Sequence, residues 1–217
     1  EPSPNGQCIN LAAYGGTEQA SLTPWLLLDP SSTNLPSAAS SQLQISVSAN
    51  VAWTATATNT DWIQISSGTG SSNGLVAFDV TANSASVART GTIQIAGGGL
   101  TATCTVVQAG IPVLSVSPTQ QSVGSATGST TFAISNEGDG TMPFTASESE
   151  SWLSLSSGAS GTNAGTLTVD YEANPGTSAR TGTVTVTAAG ASNSPVSATI
   201  VQAGRDAWDA GYQDLGG

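Results

Sequence analysis

The chain has 217 residues and carries 3 Lys or Arg and no His against 14 Asp or Glu, for a formal net charge of −11 with only 8% charged residues. An acidic surface of this kind argues against nucleic-acid phosphates and anionic lipid headgroups as partners. The longest notable apolar run, Trp25-Leu26-Leu27-Leu28, is far short of the roughly 20 residues that a membrane helix needs, so no membrane insertion is expected.

Residues 1–24 contain Pro2, Pro4, Gly6 and Gly15-Gly16 with no sustained periodicity, which predicts an irregular N-terminal leader. From residue 25 to residue 110, short apolar/polar alternations are cut by turn clusters. Leu43-Gln44-Ile45-Ser46-Val47, Trp62-Ile63-Gln64-Ile65 and Gly91-Thr92-Ile93-Gln94-Ile95 all have period two, which predicts strands. The junction Gly110-Ile111-Pro112 is too short for a long flexible tether. Residues 113–204 repeat the plan, with Leu114-Ser115-Val116-Ser117-Pro118 standing where Leu26-Leu27-Leu28-Asp29-Pro30 stood. Residues 205–217 break the pattern and set Trp208 and Tyr212 among Asp206, Asp209 and Asp214, a C-terminal tail belonging to neither repeat.

The duplication is explicit. Trp62-Ile63-Gln64-Ile65-Ser66-Ser67-Gly68 returns as Trp152-Leu153-Ser154-Leu155-Ser156-Ser157-Gly158. Arg89-Thr90-Gly91-Thr92 returns as Arg180-Thr181-Gly182-Thr183, and Val107-Gln108-Ala109-Gly110 as Val201-Gln202-Ala203-Gly204. A period of about 90 residues is too long for a solenoid repeat and fits one small β-sandwich per copy. The expected fold is therefore all-β, two consecutive immunoglobulin-like sandwiches with a leader and a tail. Together with the aromatic-Thr-Ala strands Trp53-Thr54-Ala55 and Phe144-Thr145-Ala146, these motifs resemble the BACON domain, an immunoglobulin-like sandwich of exported bacterial proteins often found beside glycoside hydrolases. The resemblance covers most of residues 25–204 and implies association with carbohydrate or mucin.

Candidate chemistry is sparse. With no His and no Lys, most acid-base and nucleophilic schemes lose their players, so no catalytic residue, metal or cofactor is expected. The carboxylate pairs Glu148/Glu150 and Asp170/Glu172 read as solvated faces sooner than as a glycosidase pair. Asn136-Glu137-Gly138-Asp139-Gly140 gathers oxygen ligands, but it has turn composition and lacks the spacing of a calcium loop. Cys8 in the leader and Cys104 in a strand do not occupy equivalent places in the repeat. A disulfide between them would pin the leader to the first domain, contributing about 4–5 kcal/mol of loop-closure entropy in an oxidising compartment, whereas two unrelated thiols is the plainer alternative.

Trp62/Trp152 and Trp53/Phe144 keep an aromatic in both copies, which predicts sandwich core. Arg89 and Arg180 precede matching strands and predict a structural role in satisfying loop carbonyls. Tyr14, Trp25, Trp208 and Tyr212 lie outside the repeated strands or at their entrance, so they are the candidate contacts for assembly or glycan. The expected function is a non-catalytic secreted or cell-surface structural protein. On this reading the chain self-assembles, its tails adding to the sandwich edges of neighbouring copies. Glycan adhesion and a rigid spacer for another domain are the alternatives.

Overall fold

The computed structural model describes residues 23–206, so the leader to residue 22 and the tail from residue 207 lie outside the described residues. Every regular element in the described chain is a β-strand. By compactness the described chain falls into two units, one built on Gln42–Asp79 and Thr92–Thr105, the other taking in Thr33–Ser41, Val80–Gly91 and residues 106–206.

Each repeat folds as an immunoglobulin-like two-sheet sandwich. In the first, one sheet has the order β1 (Leu26–Asp29), β3 (Ser40–Ala49), β7 (Gly74–Val80), β5 (Ile63–Ser67). The other has the order β2 (Ser32–Leu35), β9 (Leu100–Gln108), β8 (Arg89–Gly97), β4 (Trp53–Ala57), β6 (Thr69–Gly70). The second sandwich repeats this order. Its front sheet is β10 (Leu114–Ser117), β12 (Gly128–Asn136), β16 (Ala164–Tyr171) and β14 (Leu153–Ser157). Its back sheet is β11 (Gln120–Val123), β18 (Val196–Gln202), β17 (Arg180–Thr187) and β13 (Pro143–Glu148). The short β15 (Ser160–Thr162) pairs with β13 and, at Thr162↔Ala164, with β16, stitching the two sheets into one.

Alternation decides which side chains form the core. On β17, Gly182, Val184 and Val186 are buried while Thr181 and Thr187 are exposed, and β18 alternates in the same way. Phe132, Leu167, Val169 and Ile200 of the second sandwich have no exposed surface, each contributing about 1.5–3 kcal/mol of apolar burial. The Thr residues on the opposite faces suit the pleat because their branched Cβ restricts χ1 to rotamers that pack on a sheet.

Two glycines per sandwich make room for one aromatic side chain. Trp53 lies against Gly70 and Gly74, where an added Cβ would stand 2.5 and 2.9 Å from its Cζ2. Phe144 lies against Gly161 and Gly165, where the corresponding Cβ atoms would stand 2.7 and 2.9 Å from its Cζ. The indole has one further bond, Trp53 Nε1 donating to the Ser72 carbonyl at 2.7 Å. We predict that Gly161→Ala destabilises the chain by about 1–3 kcal/mol through overpacking, measured by urea unfolding. Adding Phe144→Leu to Gly161→Ala should cost less than the sum of the two single changes, because the sites share one space.

Candidate functional site

The aromatics of the repeated strands are interior: Trp53 is 2% exposed, Trp62 3%, Phe144 3% and Trp152 9%. Trp25 is 40% exposed at the entrance to β1. Its backbone N–H donates to Asn50 Oδ1 at 2.8 Å, and Asn50 Nδ2 donates to the Thr23 carbonyl, so the chain is clipped to the sheet at this entry. Tyr14, Trp208, Tyr212 and Cys8 lie outside the described residues. Cys104 is buried on β9, and burial pushes the pKa of its thiol up.

Arg89 and Arg180 each anchor the same polar node. Arg180 Nε donates to Gln202 Oε1 at 2.8 Å, and one of its terminal nitrogens donates to the Glu172 and Ala173 carbonyls at 2.8 and 3.1 Å. Gln202 Nε2 in turn faces the carbonyls of Ser125, Ala126 and Glu172 at 3.3, 3.4 and 2.9 Å. Two amide hydrogens serve three acceptors there, so at least one is shared. In the first sandwich Arg89 Nε donates to Gln108 Oε1 at 2.9 Å, and Gln108 Nε2 faces the Ser37, Ala38 and Thr81 carbonyls at 3.3, 3.1 and 3.0 Å. Asn83 and Asn174 extend both nodes, each donating to two further carbonyls (Val87 and Ala109; Ser178 and Ala203). Among the described residues these two Asn and two Gln are the buried polar side chains, and no buried side-chain nitrogen or oxygen lacks a partner.

No role for the glutamines is predicted from the sequence. The signal was present: Gln108 falls two residues beyond Val106 and four beyond Cys104, on the inward parity of its strand. A polar side chain at an inward position must be answered by buried partners.

In the second sandwich the Arg180 guanidinium also stacks on Trp152, with Cζ 4.1 Å from the ring centroid. Gly182 permits the approach of the indole, since a Cβ there would stand 2.9 Å from Trp152 Cζ2. This accounts for the Gly of Arg180-Thr181-Gly182. Trp152 forms one wall of a shallow cleft of about 150 Å³ whose rim carries Thr127, Ser151, Asp170, Tyr171 and Glu172. Thr127 Oγ1 donates to the Tyr171 carbonyl at 3.0 Å, tying together two sides of the cleft. The first repeat has Val80 and Thr81 where the second has Tyr171 and Glu172, so the tyrosine and the Glu172 carboxylate are particular to the second copy, whereas Asp170 has its counterpart in Asp79. The cleft thus offers hydroxyls, two carboxylates and a tyrosine edge, and it joins Asp170 to Trp152, which were read separately from the sequence.

The loop at Asn136 is a side-chain-closed turn. Asn136 Oδ1 accepts from the Val113 and Gly138 N–H groups at 2.9 and 3.0 Å, and its Nδ2 donates to the Gly140 carbonyl. No group of three or more metal-ligating side chains occurs among the described residues.

We predict that Gln202→Ala lowers stability by about 1–3 kcal/mol, since it takes the acceptor from Arg180 Nε and the amide from the Ala126 carbonyl, while the Ser125 and Glu172 carbonyls keep the Asn174 N–H and the Arg180 guanidinium. The readout is a lower urea midpoint with an unchanged slope. Gln202→Glu should fail to restore stability, because it keeps an acceptor for Arg180 while removing the donors to the carbonyls.

The family model of the viral BACON domain matches residues 28–111 and again residues 113–204. No curated protein matches the chain. Among solved structures, the chain is similar to a Bacteroides ovatus GH5 xyloglucanase in complex with an XXXG heptasaccharide, at 26% identity over 43% of this chain and 19% of that one, with a TM-score of 0.37. It is also similar to domains 4 and 5 of the S-layer protein SbsC, at 17% identity over 74% and 82% of the two chains with a TM-score of 0.41. A third is human protocadherin-24 EC1-2, at 12% identity over 85% and 99% with a TM-score of 0.43. Two successive BACON domains account for both repeats, and the chain belongs to the viral BACON family.

Proposed function

We propose that this chain is a non-catalytic structural module of a surface assembly outside the cell, in which copies of the chain contact one another. The observation that supports this reading most is the doubled node. Arg89 and Arg180, two of the three basic residues, are both committed to bonds that hold their own sandwich together. Their side chains tie the last strand of each sandwich to its crossing segments. A stiff sandwich acts through its outer surface, and here that surface is hydroxyl-rich with acidic points. The test is analytical ultracentrifugation and negative-stain microscopy of the full chain, where concentration-dependent oligomers or polymers are expected and a chain that remains monomeric contradicts the reading. An exported location also favours the Cys8–Cys104 disulfide. Thiol titration in denaturant without reductant finds no free thiol if the bond exists and two if it does not.

A second reading, glycan adhesion, is favoured by the cleft beside Trp152. Hydroxyls and the Asp170 and Glu172 carboxylates gathered beside Trp152 and Tyr171 suit the diols of a single sugar ring. On this reading, glycan-array binding by the full chain is lost in Tyr171→Ala and Asp170→Ala and kept in Trp25→Ala; an array with no signal removes it.

A further inference from the structure

We propose that the leader of this chain folds back on the outer face of the first sandwich's front sheet, seating Ile9, Leu11 and Tyr14 against Trp25, Leu27 and Leu75. The inference goes beyond the assembly reading and does not rest on it.

The first ground is an apolar patch on one sheet face. Trp25, Leu27 and Leu75 are 40%, 64% and 48% exposed, and they are three of the five exposed large hydrophobics among the described residues. Single exposed apolar residues need no explanation, whereas a contiguous group marks a contact. Leu27 on β1 points outward between buried Leu26 and half-buried Leu28. Trp25 carries the ladder one step further, its carbonyl accepting from the Asn50 N–H, so it has the outward parity of Leu27. Leu75 points outward on β7, beside buried Val76. Strand β3 lies between the two strands, with Leu27 paired to Ser48. The Ala49 N–H donates to Asn73 Oδ1 at 2.9 Å and the Gln42 N–H to Asp79 Oδ1 at 2.7 Å, so β7 runs antiparallel along β3 and Leu75 stands near the level of Ser46 and Ser48. Two leucines about 10 Å apart thus flank short serine side chains, and Trp25 bounds one end. The carboxylates of this face, Asp29 and Asp79, lie toward the other end.

The second ground is that the patch occurs in the copy that a leader precedes. Leu114-Ser115-Val116 stands where Leu26-Leu27-Leu28 stood, so Ser115 replaces Leu27. Gly165, the counterpart of Gly74 in the gap for the core aromatic, is followed by Thr166 in place of Leu75. The second copy follows the short junction Gly110-Ile111-Pro112 instead of a leader.

The leader is the occupant that the chain itself supplies at this spot. The described residues begin at Thr23, whose carbonyl accepts from Asn50 Nδ2, so the leader ends at the rim of the patch. Within it, Ile9-Asn10-Leu11-Ala12-Ala13-Tyr14 is uncharged and supplies three large apolar side chains. Residues 15–22 can extend to about 26 Å at about 3.3 Å per residue, well beyond the breadth of the patch, and Gly15-Gly16 permits the reversal of direction. Such a tether holds the segment at an effective concentration of about millimolar, above that of a second copy at ordinary dilution. With the leader seated, Trp25 and Leu27 are withdrawn from solvent, and the proposal stands whether or not copies of the chain meet elsewhere.

The test is NMR of the full chain carrying Cys8→Ser, which removes any contribution from a Cys8–Cys104 bond. We expect NOEs from the Leu27 and Leu75 methyls to Ile9, Leu11 and Tyr14. These should be absent from an isotope-filtered spectrum of mixed labelled and unlabelled chains, because the contact lies within one chain. Leu27→Ser with Leu75→Thr, the residues that the second copy carries, should return the Ile9 and Leu11 methyls to random-coil shifts. Val87→Ser with Leu100→Thr, at the other exposed apolar positions, should leave them unmoved. Urea midpoints establish that both variants fold. Should the first fail, Ile9→Ser with Leu11→Ser, outside the described residues, must move the Leu27 and Leu75 methyl shifts and lose the Tyr14 NOEs. A leader with random-coil shifts in the Cys8→Ser chain overturns the proposal, as does one indifferent to the Leu27 and Leu75 changes. Filtered NOEs between chains give the face to a second copy. Leu27 and Leu75 methyls that move on adding cellopentaose, with the leader at random-coil shifts, give it to a neutral sugar, and either result overturns the proposal as well.

Discussion

Each sandwich depends on one buried glutamine in its last strand. A two-sheet fold must carry the chain from one sheet to the other, and the crossing segments turn carbonyls inward where no ladder partner exists. At Ser37, Ala38 and Thr81 in the first sandwich, and at Ser125, Ala126 and Glu172 in the second, those carbonyls meet a glutamine amide. Other features follow from that choice. The glutamine oxygen needs a buried donor, which fixes Arg89 and Arg180. The planar guanidinium of Arg180 then has a face to cover, which Trp152 supplies, and Trp152 needs the missing Cβ of Gly182 to approach. Arginine suits the position better than lysine because its fork reaches the glutamine and the crossing carbonyls together.

Committing cations to bonds within each sandwich shapes the exterior. With so few basic residues, and Arg89 and Arg180 bonded inside their sandwiches, the outer surface presents carboxylates and hydroxyls with little positive charge to balance them. Carboxylates stand on the front sheets at Asp29, Asp79 and Asp170, in loops, and at the end of back-sheet strand β13 at Glu148, among rows of Ser and Thr.

The two copies keep the node and vary around it. The aromatic that fills the pair of glycine gaps is Trp53 in one copy and Phe144 in the other, and only the indole makes the added bond to Ser72. Tyr171 and Glu172 replace Val80 and Thr81, which gives the second copy a rim that the first lacks. A position retained in both copies marks what folding needs. Differences outside the node are where the copies can diverge in what they contact.

The duplication, the period-two strands and the immunoglobulin-like class were legible in the sequence because alternation and repeat spacing are local properties of the chain. The repeated aromatics and the Arg-Thr-Gly motif pointed at the interior for the same reason. The cleft beside Trp152 and the partners of Gln202 were not legible, since each brings together residues that are distant along the chain. Gln202 is 77 positions from Ser125 and 30 from Glu172, and no local pattern encodes that meeting. Sequence by itself determined which residues face inward on each strand, because a strand turns its side chains to opposite sides in strict order. Only the tertiary structure decided which inward polar groups meet, because that depends on how the strands are ordered within each sheet.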